Sequence, residues 1–507
     1  MNKKIGILGV LFTIFILIAF QASVAKNYAM EDITIKSNGG VKNVIILIGD
    51  GMGLAHIEIT KICYGHLNME DMPYTGYELT DSLSGPVTDS AAAGTAIATG
   101  FKTYNGMIST VKVNDKLVNV TSLLELAKCS GKATGLVTTT RITHATPAVF
   151  ASHVEKRSME EEIARQLIEE KVNVLFGGGK EKFSDDILKL AKKNGYEVVY
   201  TREGLESANG KYVLGLFADS HIPYVLDRDN KTVGLLEMTK KAIELLEKDS
   251  DKGFFLMVEG GRIDHAAHGN DIASVVAETK EFDEVVGYCL DYARKNKNTL
   301  VIVLADHETG GLGVGIDYGD PIDEKEILNI KASTETMAKE IENGGDPKEV
   351  IKKYTGLDLT DEEVKKIEDA MKSDNKYALG NAIGEIISEK VGVRFVSHKH
   401  TGVPVPIMAY GPGAEHFRGF RHHVDTSKEI ADLMLFGGDR MIITNGVGVI
   451  KGDANGNYRI DLDDAYITLN QYVGKIATND DEKRLDMDNN GIIDYKDVAL
   501  IMEMAES

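Results

Sequence analysis

The chain alternates between short apolar runs and longer segments in which apolar residues recur every three or four positions. The runs are NVIILI, ATGLVTTT, VNVLF, GFFLMV, NTLVIVLA and VPVPIMAY, beginning at Asn43, Ala133, Val172, Gly253, Asn298 and Val403. Segments such as SMEEEIARQLIEEK lie between them and predict amphipathic helices. Apolar runs without polar alternation are typical of strands that are buried on both faces. The pattern therefore predicts an α/β fold with a mainly parallel central sheet and helices on both faces.

Two segments depart from this alternation. From about residue 323 to residue 390 the chain is highly charged and helical, with no strand-like run. This predicts a helical insertion between two strands, whose charges we interpret as a solvated face; a binding surface is the alternative. After Gly437 the composition changes again, which predicts a catalytic domain over residues 41–439, a linker over 440–451 and a separate module over 452–507.

The N-terminus has the pattern of a signal peptide. Two lysines precede an apolar run from Ile5 to Phe20, and Ser23-Val24-Ala25 offers small residues for cleavage. We expect residues 1–25 to be removed, with an uncleaved membrane anchor as the alternative. The mature protein is then exported to a periplasmic, cell-surface or extracellular location.

Composition limits the classes of partner. The chain has 507 residues, of which 43% are hydrophobic and 27% charged, and its formal net charge is −21. This charge argues against nucleic acid as a binding partner, because affinity for phosphate backbones comes from Lys and Arg. Cys63, Cys129 and Cys289 are too few and too dispersed for a disulfide framework, and we interpret all three as buried apolar residues.

The C-terminal module contains a duplicated acidic loop, in GDANGNYRIDLDDA and again in LDMDNNGIIDYKDVA. Oxygen-bearing residues fall at positions 1, 3, 5, 9 and 12 of each loop: Asp453, Asn455, Asn457, Asp461 and Asp464, then Asp486, Asp488, Asn490, Asp494 and Asp497. Hard oxygen ligands at alternate positions are typical of calcium loops. The sequence therefore predicts two bound Ca²⁺ ions.

Over roughly residues 447–507, this pattern resembles dockerin modules. The resemblance implies a small all-α domain that folds with calcium and docks a helical face on a cohesin-bearing scaffold protein. A calcium-binding module that only adds stability, without a partner, is the alternative.

Candidate ligands gather at the strand ends of the predicted sheet. Asp50, Glu259 and the pair Asp306-His307 each follow an apolar run, while RIDHAAHG supplies Asp264 and His268, and HKHTG supplies His400. The carboxyl ends of parallel strands lie on one edge of a sheet, where function is found in such folds. Asp264, His268 and His400 form a nitrogen-rich set that suits zinc, and Asp50, Asp306 and His307 form a second set. Asp50 and Glu259 with a hydroxyl would form an all-oxygen magnesium site.

The stretch PVTDSAAAGTAIATG supplies the hydroxyl with the greatest chemical interest. Ser90 is either a helix cap or a nucleophile, and zinc coordination could activate it without a histidine base. The stretch alone leaves both interpretations open.

From about Val41 to Asp439 the chain resembles alkaline phosphatase, through IGDGMG, TDSAAAGTA, HATPAVFASHVEKR, VEGGRIDHAAHG, ADHETGG and KHTG in the family's order. The resemblance implies that Ser90 is the phosphorylated nucleophile, that Arg157 clamps the phosphate and that Asp89 positions Arg157. It assigns Asp264, His268 and His400 to one zinc, Asp50, Asp306 and His307 to a second, and Asp50, Thr146 and Glu259 to a magnesium. His144 would lie near the magnesium and His265 near the bound phosphate.

The implied reaction is hydrolysis of phosphate monoesters by two in-line displacements through a phosphoserine. A homodimer is possible by the same resemblance. The alternatives are a phosphodiesterase or sulfatase of the same superfamily, and a non-catalytic cell-surface interaction protein. His153, His398, His422 and His423 receive no catalytic role: we expect His153 to be structural and the other three to lie on the surface.

Overall fold

The computed structural model describes residues 41–113, 116–315, 321–436, 452, 454, 460 and 462–506. The predicted signal peptide, the predicted linker and most of the first calcium loop, with Asp453, Asn455, Asn457 and Asp461, lie outside the described residues.

The strands are β1 Asn43–Ile48, β2 Tyr74–Leu79, β3 Thr110–Val113, β4 Lys116–Asn119, β5 Ala133–Arg141, β6 Val174–Gly178, β7 Tyr196–Val199, β8 Tyr212–Leu216, β9 Phe254–Glu259, β10 Thr299–Leu304, β11 Glu308–Thr309, β12 Leu312–Val314, β13 Val393–Phe395, β14 His400–Thr401, β15 Val405–Tyr410, β16 Gly419–His422, β17 Lys475–Ile476 and β18 Ile492–Ile493.

The α-helices are α1 Leu54–Tyr64, α2 Ser90–Thr99, α3 Leu123–Cys129, α4 Ala145–Ala148, α5 Glu160–Glu169, α6 Asp185–Lys193, α7 Arg202–Ser207, α8 Leu235–Asp249, α9 Arg262–His268, α10 Ile272–Lys295, α11 Glu324–Asn329, α12 Thr334–Glu342, α13 Pro347–Thr355, α14 Asp361–Ala370, α15 Ala378–Lys390, α16 His423–Phe436, α17 Leu462–Ile467, α18 Asp480–Lys483 and α19 Tyr495–Glu506. A π-helical turn, Thr468–Tyr472, follows α17.

A ten-stranded sheet in the order β16-β2-β15-β10-β1-β9-β5-β6-β8-β7 forms the centre of the molecule. Within this described sheet, β15 alone runs antiparallel to its neighbours β10 and β2. The central strands β1, β9 and β10 are buried along their whole length, as expected for strands covered by helices on both faces. The predicted mainly parallel sheet and α/β class are confirmed.

The sequence missed the outer strands of this sheet. β2, β7, β8 and β16 lie towards its two edges, and β2, β7 and β16 mix polar with apolar residues because one or both faces are partly exposed. Their pattern therefore lacks the apolar run that identified the central strands.

The charged segment from residue 323 to residue 390 forms five short helices, α11–α15, between β12 and β13. These helices share a small core of their own, which includes Met337, Ile351 and Ile383 and which continues onto Ile59 of α1 and Ile272 of α10. The insertion is therefore helical, as predicted, and one side of it is packed while its charges face outwards.

Two expectations need correction. The described part of the C-terminal module is not all-α, because β17 and β18 pair in a short antiparallel ladder. Of the cysteines only Cys289 is buried; Cys63 is half-buried and Cys129 is exposed. Among the described residues, no helix combines the length and apolar character that a membrane crossing requires.

Candidate active site

Ser90 is the first residue of α2, and its side chain is buried at the C-terminal edge of the sheet. Asp89 caps the helix, because its Oδ1 accepts from the Ala92 N–H at 3.0 Å. Small residues let the helix lie close to its neighbours: a Cβ added to Gly94 would lie 3.0 Å from Val149. Ser90 Oγ donates to His307 Nε2 at 3.2 Å. The serine thus caps nothing itself, and its hydroxyl points into the predicted metal centre.

The first cluster consists of Asp264, His268 and His400. Asp264 and His268 lie one helical turn apart on α9, while His400 begins β14. Asp264 Oδ1 lies 3.3 Å from His268 Nε2 and 3.5 Å from His400 Nε2. The two Nε2 atoms are 3.1 Å apart.

The Nδ1 atoms of His268 and His400 determine which ring nitrogens are left to bind a metal. His268 Nδ1 donates to the His398 carbonyl at 2.7 Å, and His400 Nδ1 donates to the Thr88 carbonyl at 2.8 Å. Because each neutral imidazole carries one proton, both Nε2 atoms then direct lone pairs at each other and at a carboxylate. Carbonyl partners of this kind orient metal-ligating histidines, so the donor set fits a zinc ion.

The second cluster, Asp50, Asp306 and His307, is fully buried and has ligand atoms within 4.8 Å of one another. Asp50 follows β1, and Asp306 and His307 follow the neighbouring β10. His307 Nε2 lies 3.2 Å from Asp306 Oδ2 and 3.5 Å from Asp50 Oδ1. Burial, and then the neighbouring His400, hold the pKa of His307 well below its usual value, so its imidazole is neutral and able to act as a ligand.

The third cluster shares Asp50 with the second. Asp50, Glu259 and His144 form a group within the same 4.8 Å limit, and the Thr146 hydroxyl donates to Asp50 Oδ2 at 3.3 Å. Thr138 and Thr140 hydrogen-bond to Glu259 Oε2 and hold that side chain in place. These oxygens suit magnesium, and His144 adds one nitrogen at the border of the site.

Three buried carboxylate oxygens test whether cations fit here. Among the described residues, Asp50 Oδ1, Glu259 Oε1 and Asp306 Oδ2 have no hydrogen-bond partner. Burial, followed by repulsion from Asp306, raises the pKa of Asp50, and burial likewise raises the pKa of Glu259 and Asp306. Unpaired buried carboxylates are costly unless they coordinate metals. The residues present therefore fit a group of bound cations.

Arg157 lies beside the nucleophile. Its Nη1 donates to Asp89 Oδ2 at 3.0 Å and its Nη2 donates to His144 Nε2 at 3.1 Å. Burial, and then the Arg157 charge, lower the pKa of His144, which keeps this imidazole neutral and able to accept. Asp89 therefore serves two groups, the end of α2 and the guanidinium, and a fixed guanidinium can bind two oxygens of one phosphate.

His265 lies one residue beyond Asp264, and its Nδ1 accepts from Arg262 Nη1 at 2.9 Å. Its ring lies 5.5 Å from that of His144 and 4.5 Å from that of His221. His221 lies in a loop after β8 and completes this group of three imidazoles, but no motif in the sequence points to it. The predicted contact of His265 with phosphate stays a prediction.

One expectation about the histidines is wrong. His423, expected on the surface, is buried; its Nε2 donates to the Asp306 carbonyl at 2.9 Å and its Nδ1 pairs with Glu78 Oε2 at 3.0 Å. It thereby supports the strand end that carries two ligands. His422, the preceding residue, is only half-buried. The two histidines are adjacent in the same sequence pattern, so the sequence did not indicate which of them would be buried.

Comparison with known proteins determines the family to which this site belongs. The sequence profile of the family described as "Alkaline phosphatase" matches residues 41–435. The chain belongs to the alkaline phosphatase family. All three clusters, Ser90 and Arg157 lie within the matched region, and the C-terminal module lies beyond it.

Relatives and solved structures agree with this assignment. Alkaline phosphatase 4 of Bacillus subtilis (strain 168) is 40% identical over 416 residues, which cover 78% of this chain and 89% of that one. A crystal structure of a cold-active alkaline phosphatase from the psychrophile Shewanella sp. is 33% identical with a TM-score of 0.71, over 77% of this chain and 99% of that one. An alkaline phosphatase from the Antarctic bacterium TAB5, 30% identical with a TM-score of 0.59 over 78% of this chain and 98% of that one, has Mg bound in its M3 site when a histidine is replaced by glutamate. This alkaline phosphatase family member is therefore an enzyme, and it contains groups of residues that could hold metal ions.

Proposed function

We propose that the chain is an exported phosphate monoester hydrolase that acts through a phosphoserine at Ser90. The observation that carries this proposal is the position of the Ser90 hydroxyl, 3.2 Å from a ligand of the second cluster. It lies at the N-terminus of α2, where free N–H groups favour an anion.

We assign zinc to Asp264, His268 and His400, a second zinc to Asp50, Asp306 and His307, and magnesium to Asp50, Thr146 and Glu259. His144, the nitrogen at the border of the third cluster, would tune which metal is held there. When bound, these ions supply positive charge that lowers the pKa of the serine hydroxyl and offsets the charge that develops on phosphate oxygens.

Side chains of the protein bind the phosphate and take part in the two displacements. The Arg157 guanidinium binds two phosphate oxygens, held by Asp89 on one side and His144 on the other. Ser90 Oγ attacks phosphorus in line with the leaving alkoxide as the bond from phosphorus to the alkoxide oxygen breaks, and the proton given up by the Ser90 hydroxyl leaves with the alkoxide as the free alcohol. Water then attacks the phosphoserine from the same side that the alkoxide left, so that two inversions retain the configuration at phosphorus. His265, with Arg262, would face the bound phosphate.

The arginine fork favours a monoester over a diester, since a diester has one fewer free oxygen to bind. Initial rates on an aryl phosphate monoester and on the matching methyl aryl diester test this choice. We expect the monoester to have the higher kcat/KM by about 10³-fold or more. A preference for the diester, or for an aryl sulfate, would replace this proposal with the corresponding superfamily activity.

We also propose that residues 452–507 form a calcium-binding, dockerin-like module joined through a linker at 440–451. The two loops have matching contacts: the Ala454 N–H donates to Asp464 Oδ1 at 2.8 Å, and the Met487 N–H, 33 residues on, donates to Asp497 Oδ1 at 2.6 Å. In the second loop, Asp486, Asp488 and Asp497 have oxygens within 4.8 Å of one another. This repetition supports two related calcium loops.

By this proposal the module attaches the exported enzyme to a cohesin on a scaffold protein. Gel filtration of the intact chain with a purified cohesin, in buffer with and without calcium, tests it. We expect a complex only with calcium. If the chain elutes at the same volume in both buffers, the module does not bind this cohesin. The elution volume of the chain alone also shows whether it is a homodimer.

A further inference from the structure

The C-terminal module packs on the catalytic domain, beside the helix that carries the nucleophile. The Tyr466 ring of α17 lies edge-on to Phe436 of α16, with centroids 5.3 Å apart. Tyr495, the first residue of α19, is fully buried. Apolar residues of the module form one continuous core with residues of α2, α3 and α16 and with Phe101, which follows α2: Ala465, Leu469, Val473, Ile492, Val498 and Ile501 with Ala98, Phe101, Leu124, Ala127 and Ile430.

Two polar contacts, one buried and one partly buried, fix the position of α19 in this interface. The Tyr495 hydroxyl lies 2.8 Å from Ser427 Oγ of α16. The Thr121 N–H, just before α3, donates to Asp494 Oδ2 at 2.8 Å. Polar groups buried together in this way would be costly to separate, because each would lose its partner.

The Tyr495 hydroxyl also lies at the far end of the nucleophile helix. Gly100 ends α2 in the left-handed conformation, with φ of 74°, and a Cβ at this position would lie 3.1 Å from that hydroxyl. On the neighbouring turn, a Cβ at Gly474 would lie 3.3 Å from the Gly100 carbonyl. The module therefore packs against the end of the helix whose beginning is Ser90.

The interface residues belong to the second acidic loop itself. Asp494 and Tyr495 occupy positions 9 and 10 of the loop that begins at Asp486, and the Asp494 N–H donates to Asp497 Oδ2 at 2.8 Å. The conformation of this loop thus sets where Asp494 and Tyr495 lie.

We propose that the C-terminal module is an intramolecular clasp, whose second calcium loop holds Asp494 and Tyr495 against the catalytic domain and so couples calcium to the stability of the nucleophile helix. The calcium part of this inference rests on the proposed calcium loops. The face formed by α17 and α19 is already covered, so a cohesin would have to bind the remaining surface, where Ile476 is 48% exposed.

Thermal unfolding of the full-length holoenzyme, followed by circular dichroism, tests the clasp with zinc and magnesium held constant and calcium varied. Loss of phosphatase activity is the second readout, for the catalytic domain alone. For the wild type we expect calcium to raise the temperature at which activity is lost. Tyr495→Ala should lower that temperature by about 5 °C and abolish the calcium response. Tyr495→Phe, which removes only the hydroxyl, should lower it by about 2 °C. Tyr377→Ala, at a tyrosine that is 62% exposed, is the matched control and should change neither value.

The outcomes separate the two parts of the inference. Wild-type temperatures for both Tyr495 variants, or a module that unfolds separately while activity persists, would overturn the clasp. If Tyr495→Ala is destabilised but calcium has no effect on the wild type, the docking of the module is supported and the calcium coupling is overturned. Asp488→Ala should unfold at the temperature of the calcium-free wild type, with or without calcium. If calcium still raises its unfolding temperature fully, the ion that stabilises the protein binds outside the second loop.

Discussion

The catalytic centre and the second C-terminal loop both gather buried acidic groups, but they are built in opposite ways. The catalytic ligands come from strand ends and helices spread from Asp50 to His400, whereas the loop takes its carboxylates from the single short stretch Asp486–Asp497. Strands of the sheet hold the first set in place, and turns within one loop hold the second. The first set should therefore persist without its ions, while the second depends on its ion for order.

The donors differ in the same way. Imidazole nitrogens of His268, His307 and His400 accompany the catalytic carboxylates, while the loop offers oxygens alone. Nitrogen with oxygen suits zinc, and oxygen alone suits calcium. By the proposed assignments, one chain would thus sort zinc and calcium by donor type, with chemistry at one site and stability at the other.

Ser90→Ala should give the largest effect. Removing the nucleophile should lower kcat for an aryl phosphate by about 10³–10⁵-fold, because a direct attack by water lacks the covalent step. The metal ligands are untouched, so metal content and the calcium response of the C-terminal module should match the wild type. Ser207→Ala, at an exposed serine of α7, is the control and should retain full activity. Activity in Ser90→Ala within tenfold of the wild type would rule out the phosphoserine route.

Arg157→Lys should have a smaller effect that is also confined to the catalytic centre. Lysine keeps the charge but lacks the fork that contacts Asp89 and His144 and that we propose binds two phosphate oxygens. We expect kcat/KM for a monoester to fall by about 10–100-fold and inhibition by inorganic phosphate to weaken in parallel. A fall in kcat/KM without weaker phosphate inhibition would assign Arg157 a role other than the clamp.

His153→Gln should have the smallest effect, and it acts between the two regions. His153 Nε2 donates to Glu125 Oε1 at 2.8 Å, on the α3 helix that packs against α19. Burial lowers the pKa of His153, but the Glu125 charge and hydrogen bond outweigh this and raise it to about 9 from 6.5. Because the folded pKa is the higher one, this pair contributes stability fully below about pH 6.5 and loses it as the pH rises through about 9.

The free energy of unfolding in urea, compared at pH 6 and pH 10, measures this contribution. His153→Gln should cost about 1–3 kcal/mol at pH 6 and clearly less at pH 10. His66→Gln, at a histidine whose side chain is 64% exposed, should cost little at either pH. An equal cost for His153→Gln at both pH values would mean that the charged pair contributes nothing.

The sequence predicted the regions that have their own local pattern. Runs without polar alternation identified the central strands β1, β5, β6, β9, β10 and β15, and strand-end motifs identified the ligands of the first two clusters and Glu259 of the third. His144 and Thr146 were assigned by the family resemblance alone. Edge strands such as β2 were not predicted, because their exposed positions are polar and interrupt the apolar run. The burial of His423 was not predicted, because it depends on a hydrogen bond to the Asp306 carbonyl, which is far away in sequence.

The same reasoning explains the C-terminal module. Residue spacing predicts two acidic loops, and in the second of them Asp486, Asp488 and Asp497 lie together; the first lies mostly outside the described residues. The docking of Tyr495 beside Gly100 could not be predicted, because complementarity between two surfaces is a property of neither segment alone. The interface therefore became visible only in the structure.

Elemental analysis of the purified wild type and of two variants tests the central claim most directly. The wild type should contain zinc, magnesium and calcium together. Asp306→Asn should lose one of its two zinc ions and keep calcium, while Asp488→Ala should lose the calcium ion of the second loop and keep zinc and full activity at 25 °C. A wild type without zinc, or a variant in which zinc and calcium fall together, would contradict two independent metal chemistries in this chain.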